Sequence, residues 1–170
     1  MKLLGSFKFL PRSSVGIDIG TSSLKVVELS RWGSRKTLKN YGEIEAFTLY
    51  DKPFRTFEKN TLLLSSADIS RAIRAILQET KIETRSAVFS LPDFSSFFTY
   101  FELPQMSKEE LPQAVQYEAR KHVPLPFAEV TFDWQLIEKP SLGSKKPFKI
   151  LLVAVPNEVI NQYQEIAKGA

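Results

Sequence analysis

The sequence predicts an α/β fold in which a β meander comes first and helices then alternate with strands. Three observations carry this prediction. The first two are the apolar runs of strand character that open the chain and the segments with a helical period that follow them. The third is composition, because 43% hydrophobic and 25% charged residues are ordinary values for a globular protein. With 170 residues, the chain is also long enough to bury a sizeable core.

The meander is predicted from three runs near the start of the chain. Residues 15–20 and 24–29 are β-rich and are joined by the short link 21–23, so they predict a hairpin with a turn led by Gly20. Residues 41–49 are rich in aromatic and β-branched side chains and predict a third strand. Three consecutive strands of this kind form an antiparallel meander.

The hydrophobic period changes after Ser65, which with Asp68 forms a capping box that marks a helix start. Apolar residues then recur on one helical face, at Ile69, Ile73, Ile76 and Leu77. Beyond this helix, residues 87–91 and 97–103 predict two short strands, each stopped by a proline.

A second capping box, Ser107 with Glu110, predicts a helix that ends before Pro124. Residues 130–137 and 148–155 predict two more strands, separated by a turn-rich segment at 139–144. Asn157 is expected to cap a last helix, which is still running at the final residue. A helix that runs to the end of the sequence predicts a truncated chain.

Composition excludes several classes of function. The chain has no Cys, so it has neither disulfides nor thiolate metal sites, and its single His cannot build a His-rich site. The 23 Lys and Arg against 19 Asp and Glu are scattered along the chain, so no nucleic-acid partner is predicted. The apolar positions of residues 1–14 are interrupted by Gly5, Ser6 and Lys8, which predicts a flexible leader. A basic-aromatic segment that touches a membrane surface is the alternative.

The residues that carry chemistry lie between the first two predicted strands. A hairpin turn at Gly20 can present backbone N–H groups as an anion-binding nest. The neighbouring hydroxyls add donors, Lys25 adds a positive charge, and Asp18 tolerates phosphate only with a divalent cation between them. The predicted nucleotide-binding residues are therefore Asp18, Gly20, Thr21, Ser22, Ser23 and Lys25. An ordinary Asp/Gly/Ser turn is the alternative interpretation.

This segment resembles the first phosphate-binding loop of the actin and sugar-kinase superfamily. The resemblance implies ATP as the ligand, with Mg²⁺ facing Asp18 through water. Residues 98–107, 117–126 and 129–134 follow in an order that resembles the PilM family of type IV pilus assembly proteins, over a match from about residue 15 to the end. What this resemblance implies is an actin-like, FtsA-like (ribonuclease-H-like) nucleotide lobe whose first part is residues 15–91. Residues 92–170 would be the inserted small α/β subdomain and the final helix.

The resemblance also implies a function, that of an ATP-binding cytoplasmic scaffold peripheral to the inner membrane. Its partner would be a PilN-like inner-membrane protein, held through a cytoplasmic N-terminal peptide in a groove whose residues the resemblance does not assign. Contacts with other pilus machinery and self-association are further implications. The family supplies a second phosphate loop from its later half, so this chain is expected to have an incomplete site and weak or no ATPase, with no catalytic residue.

Two alternatives stay open from the sequence. One is the cytoplasmic actin-like domain of a type II secretion protein, which shares the architecture. The other is a small-molecule kinase of the same superfamily, which would need a catalytic base placed over its substrate.

Overall fold

The structure, a computed structural model, describes residues 12–55, 62–138 and 146–170, and these fall into two units. The first unit holds the described residues up to Leu91 together with Gln162–Ala170, and the second is Pro92–Asn161. Of the expected leader, residues 1–14, the first eleven residues lie outside the described part of the chain. Residues 12–14 already belong to the first strand, so that strand begins earlier than the sequence pattern indicates.

The first unit is built on a four-stranded sheet with the order β3-β2-β1-β4. Its strands are β1 (Arg12–Ile19), β2 (Ser23–Trp32), β3 (Arg35–Glu45) and β4 (Ala87–Phe89). The first three are antiparallel neighbours, which confirms the predicted meander, and β4 pairs with β1 in parallel. A parallel neighbour requires a crossover between the two strands.

Helix α2 (Ser66–Glu79) lies in that crossover and covers one face of the sheet. Its start is the predicted one, since the Ser65 hydroxyl accepts a 3.1 Å hydrogen bond from the N–H of Asp68. Apolar residues of the strands and the helix make the core, among them Val15, Ile17, Leu24, Val26, Ile69 and Ile73. The apolar side chains that follow a two-residue period in the strands thus pack with those that follow a helical period in α2, in one core.

The predicted third strand, residues 41–49, is wrong at both ends. The observed β3 begins at Arg35, after a tight turn in which Gly33 has a φ of +61°. It ends at Glu45, because Ala46–Leu49 forms the short helix α1. The N–H of Ala46 donates 2.7 Å to the carbonyl of Ser22, which turns the chain out of the sheet direction.

The second unit has a three-stranded antiparallel sheet with the order β5-β7-β6. Its strands are β5 (Phe97–Leu103), β6 (Val130–Glu138) and β7 (Phe148–Pro156), close to the predicted bounds. Helix α3 (Leu111–His122) shares a core with this sheet through buried residues such as Val115 and Ala119. The predicted turn-rich segment at 139–144 lies outside the described residues.

Both helix caps of the second unit were predicted, with different outcomes. Ser107 and Glu110 form the reciprocal pair of a capping box: the N–H of Ser107 donates 2.9 Å to the Glu110 carboxylate, and the N–H of Glu110 donates to the Ser107 hydroxyl. Asn157 is instead the first residue of α4 (Asn157–Gly169). Its side chain donates to the carbonyl of Ala128 and accepts from Thr131, so it ties the helix to the loop before β6.

The later part of α4 belongs to the first unit, where Tyr163 and Ile166 are buried. The hydroxyl of Ser70 in α2 donates 3.0 Å to the carbonyl of Ile166. In the described ranges, no helix has the length and apolar character needed to cross a bilayer.

Candidate functional site

The candidate loop joins the end of β1 to the start of β2, and its shape depends on Gly20. The N–H of Gly20 donates 2.9 Å to the carbonyl of Ser23, which closes the turn. A Cβ atom on Gly20 would lie 2.7 Å from that same oxygen, a distance that real Cβ atoms do not tolerate. Glycine is therefore required here by the close approach of the backbone.

Two carbonyls of the loop are engaged by the chain that follows β3. The carbonyl of Thr21 accepts 3.0 Å from the N–H of Phe54, and that of Ser22 accepts 2.7 Å from the N–H of Ala46. Because these two carbonyls are occupied, the polar groups that the loop leaves for a ligand are mainly hydrogen-bond donors. Among the described residues, the N–H groups of Thr21 and Ser22 donate to no backbone acceptor.

The backbone N–H groups of the predicted nest have two different uses in the structure. The N–H of Gly20 closes the turn. The free donors belong instead to Thr21 and Ser22, whose hydroxyls, with that of Ser23, lie on the same short segment. Successive backbone N–H groups of this kind form anion-binding concavities.

Asp18 stands at the mouth of the loop, directly before the last residue of β1. Its carboxylate accepts a hydrogen bond from the hydroxyl of Ser90, the residue that follows β4. Ser90 is itself held, because its N–H donates 3.0 Å to the carbonyl of Ile17. Sequence reasoning missed Ser90, and the signal that points to it is its position just after a strand parallel to β1.

Lys25 is the register partner of Asp18 on β2, and its side chain is exposed. The ammonium lies 3.8 Å from the Glu43 carboxylate, and both side chains are 53% exposed. Ion pairs of this kind contribute roughly 0–1 kcal/mol to stability. Lys25 can therefore leave Glu43 for a more strongly charged anion at small cost.

The donor set fits a phosphate group and, at Asp18, a hard divalent cation. Magnesium ions in proteins are typically held by one or two carboxylates, with water and substrate phosphate completing the coordination. Within residues 12–55, 62–138 and 146–170, no group of three or more His, Cys, Asp or Glu side chains is assembled for a metal. A cation at Asp18 would thus take its remaining ligands from water and phosphate.

A second polar cluster surrounds Glu28, which is only 2% exposed. Its carboxylate accepts 2.6 Å from the hydroxyl of Thr84, 3.0 Å from the ammonium of Lys39 and 2.9 Å from the amide of Asn40. The Thr84 hydroxyl is the largest cause that lowers the pKa of Glu28; burial opposes it, and Lys39 and Asn40 reinforce it. The cluster joins β2, β3 and the segment before β4, so its role is to hold the sheet that carries the loop.

Comparisons with known proteins give one family and two related folds. A family model described as type IV pilus assembly protein PilM matches residues 16–170. A solved PilM-PilN type IV pilus biogenesis complex contains a chain that is 25% identical, with a TM-score of 0.75 over 92% of this chain and 44% of that one. The likeness thus spans less than half of that chain.

The second solved structure is the cytoplasmic domain of EpsL, an inner membrane component of the type II secretion system of Vibrio cholerae. It is 11% identical, with a TM-score of 0.50 over 92% of this chain and 52% of that one. At this identity the likeness concerns the fold alone. It supports the α/β architecture predicted from the sequence.

Proposed function

The chain belongs to the PilM family of type IV pilus assembly proteins, and from this premise we propose that it is an ATP-binding scaffold of type IV pilus biogenesis. The observation that carries the proposal is the family match over residues 16–170. The actin-like α/β fold predicted from the sequence is confirmed by the two solved structures, the first of which is a PilM-PilN complex.

The nucleotide part of the proposal is supported by the loop after β1. The N–H groups and hydroxyls of Thr21 and Ser22, with the hydroxyl of Ser23, would hold phosphate oxygens, and Lys25 would neutralise them. Asp18, oriented by Ser90, would face Mg²⁺ through water. Bound nucleotide supplies a compact polyanion, and the chain supplies a rigid turn that is already shaped to receive it.

We propose that bound nucleotide controls the assembly state of the protein and is not hydrolysed in repeated catalytic cycles. This loop alone offers donors to phosphate but no group placed to activate a water molecule. Weak or no ATPase is the expected behaviour of such a site.

The partner in this proposal is a PilN-like inner-membrane protein, bound through its cytoplasmic N-terminal peptide, which places the chain in the cytoplasm beside the inner membrane. Strand β5 offers a docking edge, since among the described residues it pairs with β7 alone and so forms one edge of its sheet. Its residues Phe98 and Tyr100 are exposed on one face, opposite Val153 and Leu151. An extended peptide can add to such an edge through backbone hydrogen bonds, with its side chains in neighbouring apolar pockets.

The family match also favours this function over the two alternatives. The type II secretion domain is similar in fold at 11% identity, whereas the pilus family model spans 16–170. A small-molecule kinase finds no comparable support among these likenesses.

The experiment that tests the proposal is a calorimetric titration of the protein with a synthetic peptide. The peptide is the cytoplasmic N-terminal tail of the PilN-like protein from the same organism, and a scrambled peptide of equal composition is the control. We expect saturable binding of the peptide with the native sequence and no binding of the scrambled peptide. Equal binding of both peptides, or binding of neither, would overturn the docking role.

A further inference from the structure

Basic residues collect at the end of the first sheet that lies opposite the candidate loop. The register pairs Arg12 of β1 with Arg31 of β2, and Arg31 with Lys36 of β3. Three adjacent strands therefore place a basic residue in the same row. From Arg12 to the last residue of β1 the strand extends roughly 23 Å, so this row is remote from the phosphate-binding loop.

The β2–β3 hairpin ends one pair beyond this row, at Trp32 and Arg35. Its large apolar side chains are turned to solvent, since Trp32 is 63% exposed and Leu38 is 55% exposed. From residue 29 to residue 42 the sequence contains four basic residues and no acidic one. Exposed apolar and cationic side chains thus lie close together on the same hairpin.

Most of these cations lack a carboxylate partner. Lys39 reaches the buried carboxylate of Glu28 at 3.0 Å. Arg31, Arg35 and Lys36 form no ion pair within the part of the chain that the structure describes. Arg31 and Lys36 are direct cross-strand partners, and like charges in that position destabilise a sheet. An anionic surface laid against the hairpin removes this repulsion.

We propose that this basic hairpin edge, defined as Arg31, Trp32, Arg35, Lys36 and Leu38, docks on an anionic phospholipid membrane. Lys and Arg are attracted to anionic headgroups at a membrane surface. Tryptophan is enriched at the membrane interface, where its ring lies at the level of the headgroups. The edge combines both recognition elements at one end of one sheet.

The sequence before β1 has the same chemistry and is attached at the same end of the sheet. Residues 1–11 lie outside the described part of the structure, and the chain passes from them directly into Arg12. They contain two basic residues and no acidic one, together with five leucine and phenylalanine residues: Leu3, Leu4, Phe7, Phe9 and Leu10. Apolar side chains next to cations are the composition of interfacial membrane anchors. They favour lipid over nucleic acid, because a nucleic acid offers aliphatic side chains no apolar phase.

The test is sedimentation of the complete chain with lipid vesicles. The probes are vesicles of phosphatidylcholine alone and vesicles that also contain phosphatidylglycerol, each at low and high salt. Binding to the anionic vesicles alone, weakened by salt, is expected. No binding, or equal binding to both vesicles, would overturn the proposal. Tighter binding to duplex DNA than to anionic vesicles would overturn it in favour of a nucleic-acid surface.

Paired variants make this test specific to the hairpin. Each basic residue near an anionic membrane strengthens binding about fivefold. The variant R31Q/K36Q should therefore bind anionic vesicles about 25-fold more weakly. The matched control is R120Q/K108Q, which removes the same two charge types at exposed positions in the second unit, outside the edge. Equal losses in the two variants would show a general charge effect and contradict a docking edge.

Fluorescence supplies a second measurement that is independent of affinity. The chain has two tryptophans, so Trp134→Phe leaves Trp32 as the sole tryptophan, which is excited selectively at a wavelength that tyrosine does not absorb. Its emission should shift to shorter wavelength when anionic vesicles are added and stay unchanged with phosphatidylcholine alone. Binding without any shift of Trp32 emission would place the contact elsewhere and overturn the assignment.

Discussion

The hydroxyl of Ser90 donates a hydrogen bond to the carboxylate of Asp18, which links the end of β4 to the end of β1. The two residues are 72 positions apart in the sequence. The N–H of Ser90 is fixed on the carbonyl of Ile17, so the hydroxyl has a rigid base from which to orient the carboxylate. The crossover that makes β4 parallel to β1 therefore also completes the mouth of the candidate loop.

The first prediction concerns the two charged residues of this loop. Asp18→Ala and Lys25→Ala should each weaken Mg-ATP binding about tenfold or more, because each removes a charged group that faces the bound Mg-ATP. The measurement is calorimetry on a chain with the full length of the family relatives. Lys108→Ala, at an exposed position in the second unit, is the control. Unchanged affinity in both loop variants, with circular dichroism confirming the fold, would remove the site from this loop.

The second prediction concerns hydrolysis by the 170-residue chain. No steady-state phosphate release from ATP should be detected, since phosphoryl transfer needs a positioned water and charge neutralisation from several directions. A coupled phosphate assay measures this directly. A rate above background that Asp18→Ala abolishes would contradict the prediction, whereas a rate that survives the substitution would indicate a contaminating enzyme.

The site illustrates how far the sequence leads. The turn, its glycine and its flanking strands follow from local patterns, because a hairpin is a short-range structure. Ser90 and Thr84 act through contacts that exist only once the crossover has folded, so no local pattern indicates them. Glu28 did leave a signal, since it shares strand parity with the buried Leu24 and Val26.

The third prediction concerns pH and the buried carboxylate of Glu28. Its pKa in the folded state lies below the ordinary value of 4.5, chiefly because the Thr84 hydroxyl donates to the charged form. A group with a lowered folded pKa stabilises the fold fully above the unfolded pKa, and this contribution is lost as pH falls through the folded pKa. Stability should therefore decrease as the pH is lowered below about 4.5.

Glu28→Gln checks this assignment. The substitution should cost about 1–3 kcal/mol of unfolding free energy at neutral pH, because buried donors lose their charged acceptor. The difference from the unsubstituted chain should shrink at acidic pH. Urea unfolding between neutral and acidic pH measures both effects, with the exposed Glu79→Gln as control. A constant difference across the pH range would show that Glu28 does not contribute through its charge.

The fourth prediction concerns Gly42, where α2 lies directly against β3. A Cβ atom on Gly42 would meet the Cγ2 of Ile76 at 2.5 Å, so Gly42→Ala forces the Ile76 side chain or the helix that carries it to shift. Overpacking of this kind costs about 1–3 kcal/mol. Gly16→Ala is the matched control, since its Cβ would find no atom nearer than 3.9 Å. Equal urea midpoints for the two variants would contradict the packing of α2 on β3.

The boundary between β3 and α1 shows why the fold was predicted only in part. Aromatic and β-branched composition favoured a strand through residue 49. Ala46 is buried, however, and its N–H donates to the carbonyl of Ser22, where the chain leaves the sheet. At the other end, residues 35–40 are polar except for Leu38 and carry no apolar alternation, and they become a strand because β2 pairs with them. Tertiary pairing overrides local preference at both ends.

The fifth prediction concerns the edge strand β5 and the proposed peptide. Phe98→Ala and Tyr100→Ala should each weaken binding of the PilN-like tail peptide about 5- to 30-fold, because exposed aromatic residues commonly dominate interface energies. Tyr117→Ala is the control, since Tyr117 is similarly exposed but lies on α3. Equal losses at Phe98, Tyr100 and Tyr117 would show that the peptide does not distinguish this strand.

The salt dependence of binding distinguishes the apolar edge strand β5 from the basic hairpin edge. Backbone hydrogen bonds and apolar side chains are little affected by ions, whereas exposed charges are screened beyond about 8 Å at physiological ionic strength. Peptide binding to β5 should therefore persist at high salt, whereas vesicle binding at the basic hairpin edge should weaken. Because the two surfaces lie in different units of the chain, R31Q/K36Q should leave peptide affinity unchanged. Peptide binding that disappears with salt, or that requires Arg31 and Lys36, would place the partner on the basic surface and contradict docking at β5.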